Sequence, residues 1–282
     1  MEVNKIMLTQ KSRNSIESEI LKYRSVLALN REVFLLNFGQ ELQVFDDTDK
    51  KLQKLIGVIA SKESDKGESH VGLIPFLLIL VRQSRNAFEC LSRYQAYDAW
   101  IIFRPALEAV LVVGKFLDDP ANANLWKNRR GIWTNRRRDK QSFEKYRKEF
   151  EGDGLIPKIL PQGEKFRRLL SYINDEFMHM NFDYFERNYE VQAVDDENDF
   201  IKTSFIGGDS QEHRAFLFSF LHVYRLLTSS LGQALKSKFT NEVDLDVELT
   251  SFEKIWEPKV REIIEQRPDL KAICCNYGLW DI

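Results

Sequence analysis

The chain is short of the residues that punctuate or cross-link a fold. Its 282 residues include only three cysteines, 13 glycines and seven prolines. Cys90, Cys274 and Cys275 form no CxxC pair and no even set of disulfide partners. Reduced thiols and a cytoplasmic location are therefore expected. The opening MEVNKIMLTQKSRNS has no apolar core of signal-peptide length. The longest apolar runs, LIPFLLILV at 73–81 and AVLVVG at 109–114, fall well short of the ~20 residues of a membrane span. A soluble protein without a membrane segment is expected. The net charge of −2 provides no global field to recruit nucleic acid, so any such binding needs a local patch. A Gly-rich phosphate loop, a Walker lysine, HExxH and GxSxG are all missing. Their absence argues against ordinary nucleotide hydrolysis, zinc proteolysis and α/β-hydrolase chemistry.

What is present favours helices. Hydrophobic residues make up 43% of the chain, charged residues 30%, and phenylalanine occurs 20 times. Few breakers with many Leu, Glu, Lys and Arg predict an all-α, multi-helix bundle. Ile16, Ile20, Tyr23, Leu27, Phe34 and Phe38 recur at helical spacing within 12–46, as one helix or two joined near Asn30. Asp46, Asp47, Thr48 and Asp49 read as a polar break before a short helix at 50–62. The polar stretch 61–70 is the most linker-like. It divides a helical extension, 1–65, from a main bundle, 71–282, unless the chain is one domain overall. Further helices are expected from Pro75 to about Gln95, at 163–187, 210–237 and 250–266, with an apolar tail able to dock. Two short alternating segments around Asp195–Asp199 read either as loop or as one small β-hairpin near 190–206.

The sequence pattern centres on 82–118. In its second half Arg104, Glu108 and Lys115 are the charges before the closing Asp118, and at 100° per residue they share one stripe with Tyr97 upstream. Asp98 can cap this helix. Pro105 lacks an N–H for the carbonyl of Ile101, which predicts a kink. Gly114 allows close packing near the helix end.

Three places could carry chemistry. Arg104 and Glu108, at i and i+4, can pair. They read either as an internal ion pair or as a polar pocket at the kink where Arg104 holds an anion. In the second, Asp175 and His179 stand at i and i+4, opposite the apolar stripe of Phe166, Leu169, Ile173 and Phe177. A carboxylate beside a histidine is an acid–base unit, or a surface histidine without a catalytic role. Glu176-x-x-His179 also matches half of a di-iron helix-bundle site, but no second copy exists and no metal or other cofactor is expected. The third place is LWKNRRGIWTNRRRDKQSFEKYRK (125–148). Lys127, Arg129, Arg130, Arg136, Arg137, Arg138 and Lys140 are interrupted by one acid, Asp139, and accompanied by Trp126 and Trp133. Such a run suits phosphate contact with base stacking, or forms a solvated helix face balanced by acids elsewhere.

The stretches IIFRPALEAVLVVGKFLDDPANANLW and FRRLLSYINDEFMHMN together resemble a group of bacterial all-helical proteins. These carry an Arg-x3-Glu helix, an Asp-Pro corner and a later Leu-Ser … His-x-Asn segment. They are similar to the broad HEPN class of helical domains. The resemblance covers roughly 71–237. It implies a HEPN-like bundle, a homodimer, and a role in toxin–antitoxin or phage-defence systems beside a partner encoded nearby. Active members use an Arg-polar-x3/x4-His motif, which falls here on Asn174-Asp175…His179. Asn174 stands where the motif has arginine, and Arg167 and Arg168 lie about three turns from His179.

Three functions follow as expectations. One is an RNA-associated protein of a bacterial stress or defence system, either a metal-independent endoribonuclease using His179 and Asp175 or a degenerate form. The next is a non-catalytic helical module that binds a protein partner or nucleic acid. The last is a small-molecule pocket at Arg104 and Glu108.

Overall fold

The computed structural model describes residues 10–63, 72–178, 189–195, 198–203, 208–239 and 250–282. The described chain is dominated by helices packed as a multi-helix bundle. They are α1 (Gln10–Asn37), α2 (Gly39–Glu63), α3 (Ile74–Leu91), α4 (Ala96–Asp118), α5 (Ala121–Lys127), α6 (Arg129–Thr134), α7 (Lys140–Phe150), α8 (Gly163–Ile173), α9 (Gln211–Phe239) and α10 (Thr250–Gln266). Two strands, β1 (Tyr189–Asp195) and β2 (Asn198–Thr203), pair antiparallel with Val191 opposite Ile201 and an irregularity between Ala193 and Asp195. No described helix is long and apolar enough to cross a membrane.

α4 and α9 are the central helices. α3 lies along α4 in the most extensive helix contact, and α9 and α8 pack on other faces of α4. Trp100, Phe103, Ala106, Leu107 and Val113 of α4 are fully buried. Phe103 meets Phe220 of α9 edge-on, with ring centroids 4.9 Å apart. From α2, Phe45 stacks on Phe88 of α3 at 4.2 Å and on Tyr224 of α9 at 5.3 Å. One buried cluster thus extends from Phe34 to Trp280. The tail docks as expected: Leu270, Ile273, Tyr277, Leu279 and Trp280 are buried, and Trp280 stacks on His222 at 3.9 Å.

Several boundaries differ from the sequence reading. α1 and α2 meet at Phe38 and Gly39, not at Asn30, and α2 runs through Asp46–Asp49 without a break. The reason is tertiary. Asp49 sits on the apolar stripe after Phe45 and accepts from Gln53 Nε2 (2.6 Å), Arg85 Nη2 (2.7 Å) and the Tyr224 hydroxyl (3.1 Å). Those bonds remove its incentive to cap or break a helix. Asp98 lies inside the first turn of α4, following Gln95 at the cap, and burial raises its carboxyl above the usual range. α4 continues through Pro105. Gly114 is required where expected: a Cβ there would lie 2.5 Å from Cγ of Pro157. The helix expected to run through 163–187 changes at Asn174, where Asn174–Met178 form a π-helical turn. The linker-like stretch lies mostly outside the described residues.

Candidate functional site

The polar stripe of α4 forms a seam along which each residue reaches a different neighbour. The Tyr97 hydroxyl donates to Glu212 Oε1 of α9 at 2.7 Å. Arg104 donates through Nε to Asn174 Oδ1 in the π turn, and its Nη1 lies 3.6 Å from Glu108. Lys115, almost fully buried, binds Glu149 of α7 at 2.6 Å.

The Arg104–Glu108 pair is therefore not an internal ion pair. Its side chains are 31% and 39% exposed. Such a pair contributes at most about 1 kcal/mol, since water screens it and both side chains lose freedom. The deeply placed pair on the stripe is Lys115–Glu149, which joins α4 to α7. Sequence reading missed it because its partner lies 34 residues away.

The structure brings together the two stretches on which the family resemblance rests. Asn174 and Arg104, 70 residues apart, are hydrogen-bonded. Asp175, next in the chain, is exposed. His179 lies outside the described residues. Asp175 itself lies within the π turn, where an i→i+5 pattern replaces the α-helical one. On the helix before it, Phe166, Leu169 and Ile173 are buried as the stripe predicts, and Arg168 is exposed. Arg167 is used locally, donating to the Gly152 carbonyl and Ser171.

The basic run occupies α5, α6, the turn after it and the start of α7. Lys127, Arg130, Arg136, Arg137, Arg138 and Lys140 are exposed. Among the described residues no carboxylate lies within ion-pair distance of these six. The lone acid of the run is occupied: Asp139 caps α7 by accepting from the Ser142 amide at 3.0 Å, and the Ser142 hydroxyl together with that amide holds its carboxyl below the usual range. Arg129 is half-buried over the Trp126 ring at 4.7 Å. The two tryptophans differ. Trp126 is turned toward Phe150 (5.0 Å) and Phe76 (6.3 Å), while Trp133 remains 43% exposed beside Arg136 and Phe143. Only Trp133 thus offers an open ring. Tyr146 marks where this arm adjoins the α4 stripe. Burial raises its hydroxyl, Arg129 draws it down, and Glu151 and Glu108 push it up.

A second cationic place was not foreseen. A groove of about 550 Å³ opens between α1 and the end of α3, with Arg24, Arg31 and Arg93 above Leu27, Ala28 and Leu35. Here Arg31 and Arg93 share Glu89, at 3.6 and 2.5 Å, so part of the charge is already neutralised. Comparisons with protein-family models, curated proteins and solved structures give no match.

Proposed function

We propose that this chain is an RNA-associated, HEPN-like helical protein of a bacterial stress or defence system, acting in the cytoplasm, with a small β-hairpin as an appendage to its bundle. The reading rests above all on the arm at 127–140. Six exposed cations with no carboxylate partner among the described residues and one exposed tryptophan match what phosphodiester contact with base stacking requires. Three free cysteines accord with a reducing compartment.

In the active form His179 is the general acid or base, and the reaction needs no metal. Arg104, held against Asn174, brings a guanidinium to the place where the motif has arginine, from a different helix. A degenerate, non-cleaving form is the second reading. It is favoured by the exposed Asp175 and by Asn174 standing where the motif has arginine.

Two measurements test these statements. RNA retention should fall when Arg136, Arg137 and Arg138 are changed together to Gln. Because each phosphate contact contributes roughly 0.7–0.9 to the slope of log affinity against log salt, the slope should drop by about two to three. Unchanged affinity and slope would sink the RNA reading. Incubation with total RNA in EDTA, beside His179→Ala, separates the active form from the degenerate one. Cleavage equal to that of the variant rejects the nuclease.

A further inference from the structure

Trp133 stands at the surface and is nevertheless held in place. Its ring meets Phe143 of α7 edge-on, with centroids 5.2 Å apart. Its carbonyl accepts from Arg136 Nη1 at 3.2 Å, and the same guanidinium lies 5.9 Å from the ring centroid. The indole N–H is engaged as well. Burial raises the Tyr146 hydroxyl, while Arg129 and a hydrogen bond from the Trp133 side chain draw it down. Tyr146 is itself buried and packs on Trp126 and Phe150, at 6.4 and 5.3 Å. The polar edge of the Trp133 ring is thus directed to the protein, and the ring keeps open surface.

An exposed indole ordinarily gives its N–H to water and changes rotamer freely. Here a buried phenol supplies the acceptor, so the ring is fixed before any ligand arrives. A fixed ring loses little freedom when something stacks on it, and more of the stacking energy remains as affinity. Cations flank it: Arg130 and Arg137 are exposed three residues before it and four after. The other ring of the arm, Trp126, is turned inward, so the platform takes one base. Phosphates of single and paired strands are met alike by the cations. The ring is different, because in a duplex both faces of each internal base are already covered by its neighbours. Stacking on Trp133 therefore requires an unpaired base.

We infer that Trp133 is a one-base platform that makes this arm select unpaired over duplex RNA, with Tyr146 as the positioning residue that sets the angle of the ring. This inference rests on the RNA reading and adds to it which RNA is taken and which residues choose it.

The test measures binding of the full chain to an unpaired oligouridylate of about 12 nucleotides and to a blunt RNA duplex of the same length, at one salt concentration. The wild-type chain should prefer the oligouridylate. Trp133→Ala should weaken oligouridylate binding at least about fivefold, the lower end for one stacked base. It should leave duplex binding and the salt slope unchanged, since no charge is removed. Trp133→Phe keeps an aromatic face and should recover most of the loss. Tyr146→Phe keeps the buried ring without the acceptor and should weaken oligouridylate binding by about two- to threefold, with duplex binding unaltered. Quenching of tryptophan emission by oligouridylate should shrink in the same variant and vanish in Trp133→Ala. Equal losses on both RNAs, or none on either, overturn the platform, and the salt slope of the Arg136–Arg138 variant still decides the RNA reading separately. A wild-type chain that retains neither RNA overturns both. Tyr146→Phe with wild-type affinity and quenching overturns its positioning role.

Discussion

α1 and α9 have nearly equal lengths, 28 and 29 residues, and both carry many large apolar side chains. In α9 every residue from 215 to 232 is buried, enclosed by α2, α4, α10 and a π-helical turn of the tail, Ile273–Tyr277. In α1 most residues between 20 and 36 are exposed. The difference is in what surrounds the helices. α9 interleaves Ser219, His222, Arg225, Thr228, Ser229 and Ser230 among its apolar residues, and all six are buried. Polar residues on an enclosed helix are tolerated when they find partners, as Thr228 does on the Tyr224 carbonyl at 2.9 Å. The apolar residues of α1 instead lie exposed on several faces of the helix. Helical periodicity reads both as amphipathic and cannot say which face is covered.

The contrast should appear first in stability. Phe220→Ala in α9 removes a fully buried ring between Phe103 and Tyr224, at a cost of about 3–5 kcal/mol in denaturant unfolding. A loss below 1 kcal/mol would mean that α9 is not the centre of the core. Next comes the carboxylate that ties α2 and α3 to α9. Asp49→Ala leaves the buried Tyr224 hydroxyl without its acceptor and frees Arg85 and Gln53, costing about 2–3 kcal/mol. Asp49→Asn keeps an oxygen for Tyr224 and should cost less. If the two variants were equally destabilised, the charge and not the hydrogen bond would be the important part.

Acid should then weaken the α9 side of the molecule. Burial holds His213, in a cage of Phe34, Phe38 and Tyr94 rings, and His222, beneath Trp280, down at about 3. In the unfolded chain both titrate near 6.5 and take up protons that the folded chain refuses. Their contribution is therefore complete above pH 6.5 and falls as pH drops toward 3. From pH 7 to pH 5 each costs about 2 kcal/mol. His213→Phe should flatten its half of that slope, and a profile identical to wild type would reject the cage. Smaller still, Arg104→Ala should lower stability by less than about 1 kcal/mol, because the pair with Glu108 is partly open to water. A larger loss would show that its bond to Asn174 holds the π turn in place. Smallest of all, Leu36→Ala on α1 should change the unfolding of the chain by no more than about 0.5 kcal/mol.

Much of the helical layout could be read along the chain. The stripe Phe166, Leu169 and Ile173, the close approach at Gly114, the docking of the tail and the start of α3 at Pro75 all follow from local spacing and backbone chemistry. Less of the candidate site could be read. Arg104, Glu108 and Asn174 were each identifiable as polar residues on largely apolar helices, but their meeting required helices 70 residues apart to pack. Asp49 did carry a signal, being an acid four residues after Phe45 on an apolar stripe. That pattern marks a buried carboxylate with a partner elsewhere, and reading it as a helix break overlooked the partner. The π turn at Asn174 had no local signature of the kind that Gly or Pro provides.

By itself the sequence determined the all-helical class, the absence of a long apolar helix and the concentration of cations at 127–140, because composition and short-range periodicity are local properties. The tertiary structure decided which side chains are accessible. It turned Trp126 inward and left Trp133 open, placed Lys115 in the deep ion pair and left Arg104 at the surface beside Asn174. It also covered α9 while leaving many apolar side chains of α1 bare. Burial is a property of neighbours distant in the chain, and no spacing within one helix specifies them.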